Sequence, residues 1–76
     1  MTVEDLLREA RSISEEIKGT EGELRYELHQ KLHRALENIR FQGGHVPAYL
    51  RELDLELVDE EVEEIFDNMV FHVTWL

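Results

Sequence analysis

The feature that most constrains this chain is the spacing of its apolar residues over the first half. Val3, Leu6, Leu7, Ala10, Ile13 and Ile17 recur at intervals of three and four. At about 100° per residue they form one stripe, with Glu4, Arg8, Arg11 and Glu15 opposite. This predicts a helix over about residues 3–18, opened by Thr2 and Asp5 as a capping box. Leu24, Leu28, Leu32, Ala35, Leu36 and Ile39 repeat the pattern and predict a second helix over about 21–41. Between them, "KGTEGE" offers Gly19 as a left-handed C-cap and Thr20 with Glu23 as the next capping box. So short a connection makes the two an antiparallel hairpin.

Gly43 and Gly44 interrupt the pattern, and Pro47 suits the first turn of a new helix over about 47–53. In "DLELVD", Leu53, Leu55 and Leu57 alternate, which reads as a connection rather than helix. Asp59 then caps a helix over about 59–69, with Val58, Val62, Ile65, Phe66 and Met69 on its buried side. The last residues, "VFHVTWL", change period: Phe71, Val73 and Trp75 share one face of an extended segment. Three outcomes are open to this tail at 70–76: a strand paired with another strand, an extended arm across the helices, or a continuation of the preceding helix. The expected fold class is all-α: one small domain over 1–76, a three-to-four-helix bundle built on the hairpin.

Size matters next. A chain of 76 residues lies near the lower end of independent folding, where disulfides, a metal or a second subunit often assist. The chain has no cysteine, which removes disulfides, thiolate metal sites and a cysteine nucleophile. An apolar content of 42% is enough for a core, so self-association into a homo-oligomer is one expected solution to the size problem. "MTVEDLLREAR" lacks a basic segment followed by an apolar one, so no secretory signal is expected, and a cytoplasmic location is.

The net charge of −10 is unevenly placed. Residues 1–24 carry three basic and seven acidic side chains, and residues 25–51 carry five basic and two acidic. Residues 52–76 carry nine acids and no Lys or Arg. Phosphate backbones and anionic membranes attract cations, so neither nucleic acid nor membrane is an expected partner. A basic protein is.

Motifs for chemistry are few. His29 and His33 stand four apart, a spacing able to bind a divalent metal, but H-E-x-x-H is absent and only Glu37 offers a nearby carboxylate in the helix. Boundary histidines of a helical hairpin explain the pair better, so no metal or cofactor is expected. Glu60, Glu61, Glu63, Glu64 and Asp67 read as a solvated face rather than an acid–base pair or an EF-hand loop. Arg25, Arg34 and Arg40 suggest pairing with the acidic flanks before a phosphate site. Ser12 and Ser14 lie inside the first helix, without the exposing turn of a serine nucleophile.

No catalytic residue is assigned, and a non-enzymatic interaction protein is expected. Phe71, Val73, Trp75 and Leu76 are its candidate anchors, and Glu60, Glu61, Glu63 and Glu64 its steering surface. Acidic inhibitors of basic nucleases and toxin-neutralising proteins offer a physical analogy: charge raises the on-rate and aromatic side chains hold the complex. The alternatives are an obligate homodimer without further partner, and an acidic nucleic-acid mimic.

Overall fold

The chain enters its first helix through Thr2. In the computed structural model, which describes the backbone of residues 2–75 and the side chains of residues 2–67, the Thr2 hydroxyl accepts from the Asp5 N–H at 3.2 Å. The Asp5 carboxylate accepts from the Thr2 N–H at 3.4 Å, completing the expected capping box. Contacts with the Thr2 side chain, and then with its backbone, hold the Asp5 carboxyl below its ordinary value; Arg8 adds a smaller pull in the same direction. Helix α1 runs Val3–Ile17, α2 runs Gly22–Phe41 and α3 runs Ala48–Trp75. The all-α reading and the hairpin therefore hold.

The connection between α1 and α2 works differently from expectation. Gly19 is not left-handed, and Thr20 does not cap α2. Its hydroxyl instead donates to the Ile17 carbonyl at 3.2 Å, closing the end of α1. The left-handed residue is Gly22, with φ of 69° at the first position of α2.

At the far end of α2, Gly43 takes φ of 78°, and its N–H donates to the Arg40 carbonyl at 2.9 Å. The Gly44 N–H reaches back to the Ile39 carbonyl at 2.8 Å, so the pair satisfies the last turn as a Schellman motif. Gly44 also lies where Val3 meets Ile39. A Cβ there would stand 2.8 Å from Val3 Cγ1 and 2.9 Å from Ile39 Cγ2. The end of α2 thus touches the start of α1, which makes the hairpin antiparallel.

Between the helices lies one core. Leu6, Ala10, Ile13 and Ile17 of α1 meet Leu28, Leu32, Ala35, Leu36 and Ile39 of α2. Val46, Leu50 and Leu57 close it from above. Ile17, Leu32, Leu36, Ile39 and Leu50 are fully buried.

The third helix corrects the largest expectation. Two helices, about 47–53 and 59–69, were expected around a connection at "DLELVD"; one helix of 28 residues runs through both. That stretch has no Gly or Pro, and Leu and Glu are strong helix formers. Leu50, Asp54, Leu57 and Glu61, spaced four, three and four apart, are turned toward the hairpin, and the half-buried Leu53 packs beside them. Helical phase then directs the Val58, Val62, Ile65 and Phe66 stripe roughly 100° away from that contact. These side chains, expected to be buried, are exposed instead. The side chain of Met69 and those of the tail lie outside the described residues, whereas the backbone is helical through Trp75. Among the described residues no helix is long and apolar enough to cross a membrane.

Candidate functional site

The polar seam between α2 and α3 and the exposed face beside it are where this fold carries unusual chemistry. Pairings along the seam set the direction of α3. His33 meets Asp54, His29 meets both Asp54 and Glu61, and Arg25 meets Glu60. As α2 numbers fall, α3 numbers rise, so the two helices are antiparallel.

His29 is 3% exposed and Asp54 5%. The His29 Nε2 lies 2.8 Å from Asp54 Oδ1, and its Nδ1 meets Glu61 Oε1. A neutral imidazole has a single N–H, so two carboxylate contacts need a second proton, on the ring or on one of the acids. The half-buried His33 lies next to the same carboxylate, its Nδ1 3.1 Å from Asp54 Oδ2. Its Nε2 is 3.9 Å from Glu37. Asp54 is thus shared by two histidines, which explains how an aspartate persists in the interior of a helix: its carboxylate has tertiary partners and does not compete with its own backbone.

Further along, Arg25 Nε donates to Glu60 Oε2 at 3.2 Å, and its Nη1 donates to the Ile17 carbonyl at 3.0 Å. One guanidinium therefore ties the end of α1 to α3. Beyond it α2 is near its start, and Gly22, Glu23 and Tyr26 face Glu61, Glu64 and Ile65 across a cleft of about 420 Å³.

This arrangement redistributes the residues expected to act. His29 is a buried bridge rather than a boundary residue, and Glu61 belongs to that bridge rather than to a solvated face. Glu60 pairs with Arg25 while remaining exposed, and Glu63 and Glu64 are exposed. Phe71, Val73, Trp75 and Leu76 have side chains outside the described residues. Arg40 pairs with Glu37 at 2.8 Å. Ser14 donates to the Arg11 carbonyl at 2.7 Å from a buried position, which commits its hydroxyl to the helix backbone.

Two features escaped the sequence reading. Asp54 was read as part of a connection, and only a helical phase carried through "DLELVD" would have placed it opposite His29. The exposed row of Leu55, Val58, Val62 and Ile65 differs from expectation too: the sequence pattern puts Val58, Val62 and Ile65 in the core and Leu55 in the connection. The row's spacing of three, four and three signals a helix-packing face without naming what it packs against.

Among the described residues no group of three or more His, Asp or Glu is placed to hold a metal ion. The nitrogens of His29 face carboxylates on both sides, so the cluster acts as a link between helices. Apart from Leu24, Tyr26, Phe41 and Tyr49, the described large apolar side chains that stay open form one row on α3, where Leu55, Val62, Ile65 and Phe66 are 57%, 58%, 60% and 64% exposed. Comparison with known protein families, curated proteins and solved structures finds no match to this chain.

Proposed function

We propose that this chain is a non-enzymatic interaction protein of the cytoplasm, whose α3 takes up a positively charged protein partner. The observation that carries this reading is an exposed apolar row on a strongly acidic helix: Leu55, Val58, Val62, Ile65 and Phe66 are open, and after Arg51 residues 52–76 hold nine acids without a Lys or Arg. Scattered exposed apolar residues need no explanation, but a contiguous row at helical spacing marks a contact surface. Carboxylates around such a row repel acidic proteins and accelerate encounter with basic ones.

The steering surface falls to Glu63 and Glu64, joined by the exposed Glu56, Asp59 and Asp67. Glu60 and Glu61 mainly hold α3 to the hairpin. Phe71, Val73, Trp75 and Leu76 remain the proposed anchors of the tail. The commitment of the buried histidine to two carboxylates supports a structural use of that cluster.

The test is a native pull-down with the full chain beside a Val62→Glu/Ile65→Glu variant and a chain ending at Met69. A captured basic protein is then purified and titrated against all three. The reading expects loss of binding in the double variant, weakening in the shortened chain, and a helical spectrum retained in both. Equal capture by the full chain and the double variant overturns it.

A further inference from the structure

The chemistry of the open face also specifies the shape of its occupant. The floor is made by Leu55, Val58, Val62 and Ile65, with Phe66 at one edge. Its spacing of three, four and three is the seam of helix-on-helix packing, in which side chains of one helix enter the gaps of another. From Leu55 to Phe66 the floor extends about 17 Å, or three helical turns. A strand would need a free backbone edge to pair with, and a helix presents none.

Both rims are acidic. On one side Asp59 and Glu63 follow the floor at helical spacing and are exposed. On the other, Ile65 opens into the cleft where Glu64 faces Glu23 and Tyr26 across from α2. Tyr26, itself exposed, forms an aromatic wall there. An apolar floor between carboxylate rims complements one kind of ligand: a helix with an apolar stripe bordered by Lys or Arg. A second copy of the same face would oppose acid to acid on both rims, with Arg51, one turn before Leu55, the single Lys or Arg of α3 to set against nine acids.

Resting on the function proposed above, we infer that the occupant of this face is a basic amphipathic helix about three turns long. It lies along α3, its stripe on Val62 and Ile65 and its cations on Asp59, Glu63 and Glu64. Burial of the floor holds the complex, and the rims select the partner and set the salt dependence.

The probe is a synthetic peptide of three heptads with Leu at the seam positions and Lys bordering them. Its control is a scrambled peptide of the same composition that has no stripe. Labelled peptides are titrated with the full chain at about 0.15 M salt, where charges beyond roughly 8 Å are screened. Binding of the striped peptide at least ~10-fold tighter than the scrambled one, with a gain in helical signal, is the expected result. Val62→Glu and Ile65→Glu each remove most of that preference, and an Asp59→Asn/Glu63→Gln double substitution flattens the salt dependence.

Equal affinity for striped and scrambled peptides overturns the helix inference. A basic partner still captured by the full chain and lost from the double variant would then leave the broader function standing. A sedimenting dimer that Ile65→Glu disperses, with neither peptide bound, makes a second copy the occupant and overturns both. The comparison between peptides uses the unaltered chain, so it decides the matter even if a variant folds poorly.

Discussion

The first ten residues of α3, Ala48 to Leu57, and the next ten, Val58 to Asp67, are both helical and both free of Gly and Pro. Only the first ten are packed. Leu50, Asp54 and Leu57 are buried there, whereas in the second ten Glu61 alone is partly sheltered. Helix formation and burial have therefore separated along one element. The first half is held by the hairpin core, and the second by an imidazole, a guanidinium and its own helix propensity. The hydrophobic pattern of the second half is no weaker; its phase points elsewhere.

The sharpest way to break this contrast is to cut a side chain from each half. Leu50→Ala should destabilise the fold by about 2–5 kcal/mol in urea unfolding, because Leu50 is fully buried between the helices. A domain of this size holds roughly 4–11 kcal/mol in total, so much of the folded population is at risk.

Next in size is the polar seam. Asp54→Ala should cost about 1–3 kcal/mol, since it leaves His29 buried with one of its two carboxylate partners missing. Hydrogen exchange should show the loss concentrated in α3, with α1 protected as before; a uniform loss across all three helices would mean that α3 is integral to the hairpin.

Thr2→Ala tests the edge of the packed region. It should lower the melting temperature by about 4–8 °C through loss of the capping box. Because the folded state depresses the Asp5 carboxyl, the cap's contribution is present above the carboxylate range of the unfolded chain. It disappears as pH falls through the lower, folded value. The difference in melting temperature between Thr2→Ala and the parent should therefore shrink in acid.

The smallest effect belongs to the open face. Val62→Ala should change stability by no more than about 0.5 kcal/mol in the same urea experiment, because Val62 is already exposed. A larger loss, growing with protein concentration, would show that the face is covered by another copy.

Much of this architecture could be read from residues alone, and the reasons are local. The stripes through Ile17 and Ile39 specify α1 and α2 because each repeats a helical period for four turns or more. The turn chemistry of Gly43 and Gly44 was readable for the same reason. Gly19, Thr20 and Gly22 were not, because two glycines and a hydroxyl able to turn or cap the chain stand within four positions and local sequence does not rank them. Leu53, Leu55 and Leu57 misled because three alternations fit either period. Reading them as a break hid the register that brings Asp54 and Glu61, seven residues apart, onto one histidine. The candidate site was therefore half visible: its acidity lay in the counts, but most of its apolar floor was mistaken for core.

His29 grips α3 at two points two turns apart, just where the hairpin's apolar support runs out. That ring is a fulcrum. With Arg25 on Glu60 as the second hold, the direction of the acidic arm is set by two side chains of α2, and a small tilt at that pair is carried along the helix as a larger displacement of the apolar row.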